Sequence, residues 1–202
     1  MKPRPASHAL EVPVSYLWND PDVTSDEFLG LWDWKGSTHY LEFRQGCLLD
    51  GSPEPLITFQ TSAHRLAGLD ILASTGLTPI VSGRAAEVLM NAAGSDAQMM
   101  PAKVVAQDAE IGPYWVVNAT RLVTCIDYGA SVVTKMPGAT DKLLGLKRLY
   151  LRPTCMGTAQ LAREADYHGI LYVAPQLAGT LRAAKLRGLN LLTPEEAFAH
   201  FV

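Results

Sequence analysis

The chain has no apolar run approaching the ~20 residues that a membrane span needs. It has no CxxC pair, no His-Glu-x-x-His spacing, no Gly-x-Ser-x-Gly and no glycine-rich phosphate loop. These gaps exclude the motif-borne forms of zinc, serine-hydrolase and nucleotide chemistry. The three cysteines, Cys47, Cys125 and Cys155, are odd in number and far apart. That argues against a disulfide framework and for a reducing cytoplasm. The five histidines, His8, His39, His64, His168 and His200, are scattered and predict no metal site. The basic start Met1-Lys2-Pro3-Arg4-Pro5 is followed by no apolar run, which predicts no secretory signal. A net charge of −3 leaves no basic footprint for nucleic acid.

What is present is concentrated near the start. The tract from Trp18 to Trp34 holds three of the four tryptophans among carboxylates and turn formers. Large aromatics beside acids make good interface anchors, because they bury much area at low entropy cost. Trp18, Asp20, Asp22, Asp26, Glu27, Trp32, Asp33 and Trp34 are therefore the candidate partner-binding residues. A plainer reading stands beside this one: a solvated acidic loop, with Trp18 and Trp32 in the core and Trp34 the one exposed. Asp-x-Asp is too common to argue a cation site, and no calcium-loop glycine and closing Glu follow. Charge is uneven. Residues 1–60 carry nine acids and four bases, and residues 141–202 carry five acids and eight bases. An acidic front attracts basic proteins.

Periodicity predicts an α+β fold with a mixed, largely antiparallel sheet and several short helices. Expected strands are 14–18, 39–43, 56–59, 79–81, 100–105, 114–118, 122–126, 131–134, 146–151 and 170–173, after a Pro-rich, extended 1–13. Thr24-Ser25-Asp26-Glu27 has a capping-box spacing and predicts a short helix over 25–31. Apolar spacing predicts a helix over 63–73, stopped by Gly76. Ser82 is placed to cap a helix over 83–93 that Gly94 ends. Pro175 starts a helix to about Leu186, and Thr193-Pro194-Glu195-Glu196 opens a last one over 194–201. Val81-Ser82 aligned on Val173-Ala174 brings Leu89 onto Leu181, one strand–helix unit used twice. The domain reading is an acidic, aromatic-rich region over 1–55 and an α+β domain over 56–202, forming one compact unit.

Candidate chemistry is thin. Cys125 sits in an apolar stretch as a buried thiol. Cys155 follows Pro153-Thr154, with Arg152 near enough in sequence to activate it, and a small thiol enzyme pairing Cys155 with His168 is the alternative function. A general interaction domain is another.

Several segments together resemble a family of bacterial immunity proteins from polymorphic toxin and contact-dependent killing systems, first noticed beside a myxobacterial toxin. The resemblance covers roughly residues 56–202. It is carried by Asp70-Ile71-Leu72, Pro79-Ile80-Val81-Ser82 and Met100-Pro101-Ala102-Lys103-Val104. Tyr114-Trp115-Val116-Val117-Asn118, Cys125-Ile126-Asp127 with Ser131, the 170–173 strand and Gly188-Leu189-Asn190-Leu191-Leu192 complete it. Thr124 stands where the family often has an acid, and Leu191 near where it has an aromatic. The resemblance implies a non-enzymatic cytoplasmic inhibitor without cofactor or metal. It would bind one secreted toxin domain, expected to be a basic nuclease delivered by contact-dependent or type VI secretion, and neither nucleic acid nor membrane directly. Asn118 and Asp127 are expected to hold turns through side chain to backbone hydrogen bonds.

Overall fold

The computed structural model describes residues 15–22 and 25–199. In chain order the elements are β1 (Tyr16–Asn19), β2 (Leu29–Asp33), β3 (Leu56–Thr58), α1 (Ala63–Leu66), β4 (Ile71–Ser74), β5 (Ile80–Ser82) and α2 (Gly83–Ala93). Then follow β6 (Ala97–Val105), β7 (Glu110–Ala119), β8 (Leu122–Val123), β9 (Val132–Met136), β10 (Ala139–Arg148), β11 (Leu161–Glu164), β12 (Leu171–Val173), α3 (Pro175–Ala183), β13 (Asn190–Leu192) and α4 (Pro194–Ala197). The α+β expectation holds, and most strand pairs are antiparallel.

Six strands close a barrel in the order β2-β3-β6-β7-β5-β4. Its interior is filled by Trp32, Ile57, Leu72, Ile80, Val104 and Val116, with Phe43 and Leu66 also packed in. Alternation along β2 explains this: Gly30 and Trp32 are buried, whereas Leu31 is exposed. A Cβ on Gly30 would lie 2.6 Å from both Ile57 Cγ2 and the Phe59 ring, so only glycine lets the strands approach there. A second sheet runs β13-β1-β12-β11-β8. One core cluster joins Trp18, Val173 and Leu191 of that sheet to Val81 and Val117 of the barrel strands and to the apolar faces of α2 and α3. Another cluster takes Leu17, Ala162 and Tyr172, the neighbouring alternate positions of the same strands.

Asp70 ties these parts together. Its carboxylate accepts from Ser82 Oγ at 2.8 Å, from Arg84 Nη2 at 2.6 Å and from the Arg187 amide at 2.9 Å. Burial works against this charge, but those donors outweigh it and hold the carboxyl below its usual range. The start of β4, the N-terminus of α2 and the chain leaving α3 thus meet at one side chain. Ser82 also accepts from Ala85 N at 3.4 Å, as a capping residue should, and Gly94 ends α2 at φ +55°. The repeated unit is present as β5–α2 and β12–α3. Leu89 and Leu181 are both fully buried in the cluster the two helices share.

Several expectations are corrected. Residues 39–43 form turns and a 3-10 helix at Glu42–Arg44, because the Leu41 amide bonds His39 Nδ1 and the His39 amide bonds Glu42, while Phe43 is buried edge-on to Trp32. The helix expected over 63–73 stops at Leu66, since Ile71–Ser74 is needed as a barrel stave and is buried throughout. Gly76 is a close approach to the Trp32 ring rather than a helix stop. Residues 25–31 make a 3-10 helix at Asp26–Phe28 and then enter β2. The strand expected over 146–151 lies earlier, at Ala139–Arg148. The strands β11 and β13 had no clear periodicity. Residues before 56 supply β1 and β2, one strand to each main sheet. The reading of 1–13, the strand start at Val14 and the end of the 194–201 helix lie outside the described residues.

Cys125 and Cys155 are also corrected: they are joined, with Cα atoms 5.1 Å apart and a sequence separation of 30. Spacing along the chain hid a pair that the fold makes adjacent. Cys47 remains free and exposed. Closing a loop of that length constrains the unfolded chain by roughly 3–4 kcal/mol. Cys125→Ser with Cys155→Ser is therefore expected to lower stability in urea by about that order, and dithiothreitol should bring the parent protein down to the same midpoint. Gly30→Ala should cost about 1–3 kcal/mol in the same assay by forcing the Phe59 ring aside.

Candidate partner-binding surface

The Trp18–Trp34 tract divides into buried and exposed halves. Trp18 and Trp32 are buried, so neither offers an interface anchor. Trp18 packs in the core shared by the two helices, and Trp32 Nε1 donates to the Thr38 carbonyl at 2.9 Å inside the barrel. These two tryptophans are scaffold. Trp34 lies just past the end of β2, with 60% of its surface exposed and the Lys35 ammonium 5.5 Å from its ring centre. Asp33 accepts the Lys35 amide at 2.8 Å, which fixes the turn that displays the ring. Leu31, exposed on the outside of β2, continues the same strand.

The carboxylates take distinct positions. Asp22 and Asp26 are exposed. Ser25 Oγ accepts the Glu27 amide and caps a 3-10 turn, while the Thr24 of the expected capping box lies outside the described residues. Glu27 pairs with Arg65 at 2.7 Å, and the Arg65 guanidinium lies 4.4 Å from the Phe28 ring centre. An open groove of about 420 Å³ runs beneath this segment, lined by Pro21, Asp22, Phe28, Leu72, Leu189 and Asn190 among others. An apolar floor with a carboxylate at its rim suits a long basic side chain, whose stem is apolar and whose head is cationic. From the 3-10 turn to Trp34 the surface follows β2, roughly 16 Å at ~3.3 Å per residue, within the reach of a standard interface.

Asp20 differs from its neighbours. It leaves β1 half-buried, and its carbonyl accepts from Asn190 Nδ2 at 2.9 Å. Burial pushes its carboxyl up to about 6, against the pull of Arg44. Arg44 is itself held down by burial, and its Nε has no hydrogen-bond partner among the described residues.

Sequence reasoning missed the buried charges of β11. Arg163 is fully buried and donates to the Phe43 and His168 carbonyls at 2.9 and 3.1 Å. Burial, with Arg44 nearby, brings its pKa down to about 10. Glu164, also fully buried, accepts from the Cys125 and Ile126 amides at 2.8 and 3.2 Å and from the Tyr172 hydroxyl at 2.9 Å. Burial and that carboxylate push the Tyr172 phenol far up. Both side chains spend their hydrogen-bonding capacity on backbone and hydroxyl groups, so they lock segments together rather than face a substrate. Nothing in the short run Leu161–Glu164 marked them.

The Cys155–His168 pairing does not form, because Cys155 Sγ is bonded to Cys125. Among the described residues no three His, Cys, Asp or Glu side chains converge as metal ligands. No described helix is long and apolar enough to cross a membrane. Asp127 holds the turn expected of it, accepting the Gly129 amide at 2.9 Å. Asn118 instead reaches across the fold to the Cys47 carbonyl at 2.8 Å.

Because folding raises the Asp20 pKa from 3.8 to about 6, the stability this group contributes is full below pH ~4 and is lost as pH rises through about 6. Asp20→Asn is expected to stabilise the protein near pH 7.5 by up to about 3 kcal/mol. At pH 4 its melting temperature should equal that of the parent.

Comparison with known proteins extends this picture. No curated protein matches the chain. The model of the Immunity protein family (Imm11) matches residues 17–195. That span starts well before the resemblance visible in the sequence and takes in β1, the acidic tract, the barrel and both strand–helix units. The chain belongs to the Immunity protein family (Imm11).

Proposed function

We propose that this protein neutralises one cognate secreted antibacterial toxin by direct contact, without chemistry of its own, and that the toxin is a nuclease delivered by contact-dependent or type VI secretion. Family membership over residues 17–195 carries the reading. The surface supports it. Asp22 lines an apolar groove, Asp26 and Glu27 stand on the 3-10 turn, and Asp33 with the exposed Trp34 lies at the far end of β2, so carboxylates and an aromatic are displayed from the groove along that strand. A nuclease must display cations to phosphates, and an opposite field speeds encounter and occludes that site. Such an inhibitor works in the cytoplasm, where a nuclease meets its substrate.

One observation favours a second reading of the compartment. Joined cysteines are rare in a reducing cytoplasm. An oxidised Cys125–Cys155 pair favours a toxin met on the oxidising side of the inner membrane, and hence a target other than nucleic acid. Alkylation of protein taken from native cells separates the two. Three blocked thiols favour the cytoplasmic nuclease, and one favours the envelope.

Co-expression with the toxin encoded beside the gene should restore growth and yield a complex. Persistent toxicity with no complex would sink the proposal. Trp34→Ala should weaken the complex by about 2 kcal/mol, and Asp22, Asp26 and Asp33 changed together to Ala should slow association most at low salt. Binding unchanged in both variants would remove this surface and leave neutralisation itself standing.

A further inference from the structure

Among the described residues the strands β9 and β10 pair only with each other. Two-stranded ribbons are marginal in water and need support. Here one side supplies it. Leu146 is buried, and Val133, Leu143 and Leu151 pack on the cluster around Cys125 and Tyr172. The base is clamped by the disulfide, by the Asp127 amide on the Tyr150 carbonyl at 2.9 Å and by the Arg152 amide on the Cys125 carbonyl at 2.8 Å.

The remaining side chains face water in an unusual mixture. Val132, Met136, Leu144 and Tyr150 are exposed, Leu144 to 57%. Lys135, Lys147 and Arg148 are exposed among them, and none makes an ion pair or side-chain hydrogen bond among the described residues. In sequence the stretch 128–152 carries five bases against Asp141 alone, in a chain whose net charge is −3. The ribbon is a basic, apolar arm on an acidic protein.

We propose that this arm is a second docking element of the same inhibitor, gripping an acidic, apolar-bearing face of the toxin domain. The proposal rests on the toxin-neutralising reading. Exposed cations call for carboxylates or phosphates. The interleaved side chains decide between them: Val132, Met136 and Leu144 gain by leaving water against apolar protein atoms, which a phosphate backbone does not offer. Two prongs of opposite sign also give orientation. With the acidic tract on the toxin's basic site and the arm on an acidic flank, a reversed pose sets like charges together. The clamped base limits the ordering entropy that a loose hairpin would lose on binding.

The test uses the full chain and a catalytically inactive form of the toxin encoded beside its gene, titrated calorimetrically in 50 and 300 mM NaCl. Lys135→Glu, Lys147→Glu and Arg148→Glu together should weaken binding at least ~30-fold at the lower salt, with the gap narrowing at the higher. The melting temperature should stay near the parent value, since none of the three side chains makes an ion pair or side-chain hydrogen bond among the described residues. Lys135→Arg with Lys147→Arg should bind within ~3-fold of the parent, because charge is kept. If the reversed variant binds the toxin as the parent does, the arm is idle and the toxin reading survives. If the parent itself fails to bind, both fall. A 20-base-pair DNA or phosphatidylserine vesicles bound by the parent and released by the reversed variant would make the arm a phosphate reader and overturn the proposal.

Discussion

The Asp70 carboxylate is the joint on which the architecture turns. It stands where β4 enters the barrel, and its donors come from Ser82 and Arg84 at the start of α2 and from the Arg187 backbone beyond α3. Backbone bonds reinforce it, with the Asp70 and Ile71 amides both on the Arg187 carbonyl. Gly188 follows at φ +85°, with room for no Cβ beside the Ile71 carbonyl. A buried charge is costly unless its hydrogen bonds are met. Meeting them here requires three distant segments to arrive together, so one residue links the barrel to the helical layer.

The other buried charges follow the same logic. Arg163 and Glu164 are neighbours on β11. Arg163 bonds the Phe43 carbonyl near the barrel, while Glu164 bonds the amides beside the Cys125 disulfide. One strand thus staples the barrel region to the satellite core. These groups sit among partners that meet their hydrogen-bonding needs, so each acts as a tie between segments.

The displayed side chains differ in sign by region. Around the end of β1 and along β2 they are carboxylates beside Trp34 and an apolar groove. On the β9–β10 ribbon they are cations beside aliphatic groups. A protein recognised by shape and charge needs such asymmetry more than it needs net charge, because a single uniform field attracts many partners and orients none. Asp20 belongs to neither face, and its burial costs stability near neutral pH.

Local signals were legible wherever neighbouring residues suffice. Ser82 and Gly94 bounded α2, Thr193 with Glu196 formed its capping box, Pro175 opened α3, and Leu89 and Leu181 marked a repeated unit. The acidic tract and the exposure of Trp34 were legible too, and the order of short motifs pointed to the family. Barrel closure, the strands at 71–74 and 161–164 and the Cys125–Cys155 pair were not. Each of these depends on what arrives from far along the chain. Helical spacing in 63–73 yields to a vacant stave between β2 and β5, and two cysteines thirty residues apart meet only because the strands between them fold out as a ribbon. Sequence determines the short-range grammar of caps, turns and charge. Tertiary structure alone decided which strands close the barrel and which cysteines meet, because both belong to the neighbours that long-range pairing assembles around a residue.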